Sequence, residues 1–113
     1  MSQITTHILD TARGCPAADV AVTLTKLEND VPTIIATGFT DADGRISNLV
    51  QNSAVLGGGI YQIRFETGNY FQALGTPVFY PRVDVLFTIT EDGQHYHIPL
   101  LLSPYGYSTY RGS

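Results

Sequence analysis

The chain has 113 residues, 43% of them hydrophobic, which is the length of one domain and the composition of a packed core rather than a disordered tail. Six Lys and Arg against ten Asp and Glu leave a net charge of −4. The cations Arg13, Lys26, Arg45, Arg64, Arg82 and Arg111 are scattered, which argues against binding to nucleic acid or an anionic membrane surface.

From the amino terminus, Thr5 to Leu9 reads as a strand and "RGCPAADV" as a loop. Val20 to Leu27 alternates, with Val20, Val22, Leu24 and Lys26 on one face. Thr33 to Thr40 is short and β-branched. Asp41 to Gly44 ("DADG") is a turn, and Arg45 to Val50 follows it. After "GGG" (Gly57 to Gly59), Ile60 to Glu66 sets Tyr61, Ile63 and Phe65 against Ile60, Gln62 and Arg64. Thr67 to Leu74 is the only segment with a helical reading, and it stops before Gly75 and Pro77. Val83 to Thr90 and His95 to Leu102 are strands joined by a tight "EDGQ" turn, and Tyr105 to Arg111 is the last. The pattern predicts an all-β fold: a two-sheet sandwich of about eight strands with one short helix, occupying residues 1–113 as a single domain.

Cys15 is the one cysteine, so no intrachain disulfide forms, and packing is its expected role. The opening "MSQITTHILD" lacks a basic segment followed by an apolar one, and no apolar run approaches the roughly 18 residues of a membrane span. A soluble, cytoplasmic protein is expected, with neither nucleic acid nor membrane as partner.

Alternation also sorts the candidate chemistry. On the penultimate strand His95, His97, Pro99 and Leu101 share a face, and Tyr96, Ile98, Leu100 and Leu102 share the other, which reads as core. His7 lies with Thr5 and Leu9. At the end of the chain Ser108, Tyr110 and Gly112 alternate with Tyr107, Thr109 and Arg111. An outer sheet face mixing apolar residues, hydroxyls and imidazoles marks an interface or a ligand site. Three unrelated surface histidines would give the same spacing. A zinc site built on His95, His97 and His7 is another reading, although no Cys, Asp or Glu stands at a ligand-like spacing beside the pair. Asp10, Asp41 and Asp43 read as turn and cap formers.

Four stretches carry a family resemblance: "HILD" (His7 to Asp10), "RGCPA" (Arg13 to Ala17), "TDADGR" (Thr40 to Arg45) and "HYHIPLLLSPYGYSTYRGS" (His95 to Ser113). In order, and over nearly the whole chain, the sequence resembles the 5-hydroxyisourate hydrolases, the transthyretin-related proteins. The vertebrate hormone carrier of that fold shares "SPYGYST" and the "RGCPA" pattern but lacks the histidines, the arginine after "DADG" and the Tyr-Arg-Gly-Ser end.

The resemblance implies a transthyretin-like sandwich, an edge-strand dimer, and a homotetramer whose channel holds the active sites. It implies hydrolytic opening of the ring of 5-hydroxyisourate, a product of urate oxidation, to 2-oxo-4-hydroxy-4-carboxy-5-ureidoimidazoline, with no cofactor and no metal. Carried over residue by residue, the site comprises His7, Arg45 and His97 with Tyr110, Arg111, Gly112 and Ser113. Physical chemistry supplies reasons. An imidazole, with a reference pKa of about 6.5, can be base or acid at neutral pH. An arginine can hold a flat, oxygen-rich heterocycle and steady an oxyanion. His7 and His97 are therefore expected as the acid–base pair, Arg45 as the clamp, and the Ser113 carboxylate or hydroxyl as an orienting group. Tyr110, Arg111 and Gly112 are expected against the substrate, with His95 peripheral. A non-catalytic carrier of small aromatic ligands is the alternative, since fold alone does not decide function.

Overall fold

A computed structural model describes residues 2–50, 55–91 and 93–112. Among them, the chain forms β1 (Ile4–Asp10), β2 (Cys15–Pro16), β3 (Ala21–Glu28), β4 (Val31–Phe39), β5 (Arg45–Ile46), β6 (Gly59–Phe65), α1 (Thr67–Ala73), β7 (Val83–Ile89), β8 (Tyr96–Ser103) and β9 (Gly106–Thr109). They build two sheets. One has the order β2–β1–β8–β9, with β5 also paired to β1, and the other the order β4–β3–β6–β7. The expected sandwich with one short helix is what the chain adopts.

The alternation produces the core. Ile4, Ile8, Leu100 and Leu102 from the first sheet meet Val22, Leu24, Tyr61, Ile63 and Phe65 from the second, and all are buried. Lys26, on the same face of β3 as Val22 and Leu24, is half-buried instead, its ammonium 5.6 Å from the Tyr61 ring centroid and 3.2 Å from Glu28. β4 is an edge strand and carries Pro32, where a missing N–H disrupts no ladder.

Two departures from the sequence reading bear on the site. "RGCPAADV" is not wholly loop, because Cys15 and Pro16 return to pair with Asp10 and Leu9. Buried Asp10 shapes that return: its carboxylate accepts hydrogen bonds from the Ala12 and Arg13 amides and, at 2.8 Å, from the Tyr70 hydroxyl on α1. Burial and this bond push the Tyr70 phenol up to about 12. The second departure is β5, a strand of two residues where the sequence suggested a longer segment. Its two residues pair with Thr6 and His7, so that Ile46 enters the core and Arg45 lies beside His7 on β1.

Candidate active site

The site is built on the outer face of β1. This strand alternates buried and half-buried residues, so Ile4, Thr6 and Ile8 go to the core and Thr5, His7 and Leu9 face outward. β8 runs parallel to β1 and pairs Thr5 with His97 and His7 with Pro99. On the other side of β1, antiparallel β5 pairs His7 with Arg45. β9 and the residue following Arg111 continue the sheet, pairing Leu101 with Ser108 and His97 with Gly112. Two rows of outward side chains result. Arg45, His7, Pro99 and, by continuation of the register, Tyr110 form one. Thr5, His97 and Gly112 form the other. Paired and diagonal positions on one sheet face are within reach of long side chains, so the topology gathers residues far apart in the chain.

The turn before β5 sets Arg45. The Asp41 carboxylate accepts the amides of Asp43 at 2.9 Å and Arg45 at 3.0 Å. Gly44 has φ +73°, and a Cβ there would lie 2.5 Å from the Ile8 carbonyl oxygen. Only glycine meets both demands, and the Gly44 carbonyl in turn accepts the Ile8 amide at 2.8 Å. The Arg45 side chain is exposed and makes no ion pair among the described residues.

His97 is held from two sides. Its Nδ1 is hydrogen-bonded to Thr5 Oγ1 at 2.8 Å. Its ring packs on the backbone of Gly112, where an added Cβ would come within 2.5 Å of Cδ2. The Gly112 amide also donates to the His97 carbonyl at 2.7 Å. The imidazole pKa is lowered below the ordinary histidine value, first by burial, then by the charge of Arg45, then by His95 and His7, with a hydrogen bond to the Thr5 backbone pulling the other way. Its neutral form is therefore favoured.

A 260 Å³ cleft opens here, lined by Thr5, Arg45, Ser47, His95 and His97 among others. It is a little smaller than a drug-sized pocket. His7 stands next to Arg45 in the sheet but outside the lining of this cleft. Among the described residues no three His, Cys, Asp or Glu side chains are grouped to hold a metal ion, and no helix is long and apolar enough to cross a membrane.

The tail splits the expected residues. Gly112 touches His97. Tyr110 is exposed and borders a second 260 Å³ cavity between the edges of β7 and β9. Arg111 turns to the other side: its guanidinium lies 4.6 Å from the ring centroid of Tyr96, a core-facing residue, and donates to Gln94 Oε1 at 2.8 Å. Within this chain it lies away from the histidines. Ser113 falls outside the described residues. Thr5 was missed as a site residue, because a threonine on a strand needs no explanation beyond β-propensity. Its one signal is its place two residues before His7, on the same face. His95, peripheral by the sequence reading, is exposed, yet its Nε2 is hydrogen-bonded to the same Thr5 oxygen at 3.0 Å.

The fold and site together define a transthyretin-type sandwich bearing imidazoles and a guanidinium on the outer face of one sheet. Known proteins make the placement specific. The chain belongs to the HIUase/Transthyretin family, whose model matches residues 4–112. It is 53% identical to a Schizosaccharomyces pombe protein named "Probable 5-hydroxyisourate hydrolase", over 97% of this chain and 90% of that one. The Klebsiella pneumoniae 5-hydroxyisourate hydrolase structure superposes with a TM-score of 0.85 at 38% identity, covering 97% of this chain and 98% of that one. Sea bream transthyretin in complex with thyroxine superposes with a TM-score of 0.91 at 35% identity, covering 97% and 94%. The backbone is thus shared by a hydrolase and a thyroxine-bound transthyretin alike, and the side chains must separate them.

Proposed function

We propose that this chain hydrolyses 5-hydroxyisourate, as part of urate degradation, by acid–base catalysis that uses no cofactor. One observation carries the reading: His97, biased toward its neutral form, shares a small cleft with Arg45, whose charge no carboxylate among the described residues offsets. A neutral imidazole can take a proton from water attacking a ring carbonyl. The unspent guanidinium can hold the oxygen-rich heterocycle and stabilise the oxyanion as it forms. A proton must then reach the leaving nitrogen for the C–N bond to break. His97 and His7 are the acid–base groups for these transfers, His97 as the base and either ring as the acid, a contribution of about 10²- to 10⁴-fold. Gly112 lets the His97 ring sit flat against the tail, Tyr110 narrows the approach, and Arg111 anchors the tail through Tyr96. Ser113 is assigned the orienting role expected of its carboxylate or hydroxyl.

Residues 1–113 act as one domain in this reading, assembled as a homotetramer. The outer face carries Tyr110 and the half-buried Leu9 and Leu101 around the site. Two-fold stacking of such faces would close the cleft against water.

The decay of freshly made 5-hydroxyisourate, followed by ultraviolet absorbance, tests this. Protein should accelerate it, and His97→Asn should remove at least about tenfold of the acceleration. Light scattering on the same samples reads the assembly. Decay at the spontaneous rate with protein present would leave the carrier as the better reading, and a fully active monomer would remove the tetramer.

A further inference from the structure

Thr5 joins two imidazoles, and its hydroxyl has only one hydrogen to give. Oγ1 lies 2.8 Å from His97 Nδ1 and 3.0 Å from His95 Nε2. Among the described residues it has no third side-chain partner. A hydroxyl donates once and accepts through two lone pairs, so besides the case in which both rings donate to it, the three groups have two arrangements in which the hydroxyl links one ring to the other. In the first, His97 carries its proton on Nδ1 and donates it to Thr5, which donates to His95 Nε2. The Nε2 lone pair of His97 is then free to act as a base. In the second, His95 Nε2–H donates to Thr5, Thr5 donates to His97 Nδ1, and His97 carries its proton on Nε2, where it can act as an acid.

We propose that Thr5 is the positioning and relay residue of this site: its hydroxyl sets the tautomer of His97 and passes a proton between His97 and the exposed His95. This rests on His97 acting in the hydrolysis, and it explains how one ring can serve both halves of the reaction. When His97 Nε2 accepts a proton from the attacking water, its Nδ1 proton moves to Thr5 Oγ1 while the hydroxyl proton moves to His95 Nε2. His95 then releases its Nδ1 proton to solvent. One proton enters the chain of three groups and one leaves, and His97 ends neutral with a hydrogen on Nε2. That hydrogen is the one the leaving nitrogen needs. Giving it up runs the transfers backwards, and His95 recovers a proton from solvent.

The surroundings favour such a relay over a standing imidazolium. The charged or titratable groups that act on His97 are Arg45 from β5, His7 from β1 and His95 ahead of β8, and each disfavours a positive charge on the ring. Burial acts in the same direction. A relay carries the charge from His97, beside Arg45, to a ring in contact with water.

The test is kinetic and spectroscopic. Thr5→Val keeps the β-branched shape and removes the hydroxyl. It should lower kcat about tenfold or more with KM changed less than about twofold, the pattern of a group acting in the chemical step. Thr5→Ser restores the hydroxyl and should recover to within about threefold of the parent. In ¹⁵N-imidazole NMR spectra Thr5→Val should shift His97 Nδ1 and change its tautomer, a readout that needs no turnover. Equal losses in the valine and serine variants would overturn the relay, because packing rather than the hydroxyl would then matter. Full activity in Thr5→Val alongside an inactive His97→Asn would overturn it too, with the hydrolase reading left standing. Full activity in both would show instead that His97 is not the reacting group.

Discussion

The two faces of the β1–β8 sheet are made by the same strands and obey different rules. Inward, Ile4, Ile8, Leu100 and Leu102 are all at or below 1% exposed, and any side chain of similar shape would serve, since burial is not directional. Outward, Thr5, His7, His97 and Arg45 are each placed by a particular partner: a hydroxyl, a register pair, a glycine or an Asx turn. The inner face makes the sheet exist, and the outer face uses the resulting rigidity to hold geometry that no loop would keep.

Separating stability from turnover would sharpen this contrast most. Leu100→Ala should cost about 2–5 kcal/mol in denaturant unfolding, the usual range for emptying a buried leucine site. Below its melting range, turnover per folded molecule should match the parent. His7→Asn on the outer face should do the reverse, cutting turnover at least about tenfold while leaving the unfolding midpoint within error. A His7→Asn variant that unfolds as readily as Leu100→Ala would mean that the outer face supports the fold as well as the chemistry.

The same contrast shows what could be read from sequence. Period-2 alternation placed Tyr96, Ile98, Leu100 and Leu102 in the core and His97 outside it, because a strand has only two faces. It also set Arg111 with Thr109, opposite Tyr110, and the stack on Tyr96 agrees with that alternation more closely than with the substrate contact implied by resemblance. Parity could not show that β1 and β8 pair in parallel with Thr5 beside His97, since register is a relation between segments some 90 residues apart. The hydroxyl joining two imidazoles stayed invisible for that reason. β2 escaped as a strand and β5 was read too long, because two residues give no period. The roles expected of Ser113 drew on resemblance alone.

Gly112 is the next place to press, with a smaller expected effect. It lies in the tail, yet it acts on a ring in the sheet. A methyl group there would come within 2.5 Å of His97 Cδ2 and 3.3 Å of Pro99 Cγ, and the second neighbour is a rigid, buried ring. Either the imidazole tilts, straining the Thr5 bond, or the tail lifts and loses its 2.7 Å amide bond to the His97 carbonyl. Gly112→Ala should therefore lower turnover on the order of tenfold, within the range caused by misplacing a reacting group by about 1 Å. The unfolding midpoint should barely move. Unchanged activity would mean that the tail contact does not position the ring.

The smallest effect concerns how the outer face sets its own charge. A neutral His97 is the working base, so the acid limb of kcat/KM should fall below the ordinary histidine value, and at pH 6.5 the rate should stay above about half of its plateau. Arg45→Gln removes the second cause of the lowered pKa and leaves burial, the first. The limb should therefore move up in pH, but only part of the way back. Because Arg45 also holds substrate, the comparison is between limb positions, each against its own plateau, checked by NMR titration of the His97 ring. Stability follows with a definite sign. Below about pH 6.5 the unfolded chain takes up a proton at this ring while the folded chain resists it. This ring's contribution to stability is thus fully present above that pH and declines as pH falls toward the lowered folded-state value. Arg45→Gln should narrow that window as well as shift the limb. A limb and a window that both stay put would show that burial alone sets the ring, and that Arg45 acts on the substrate without tuning its neighbour.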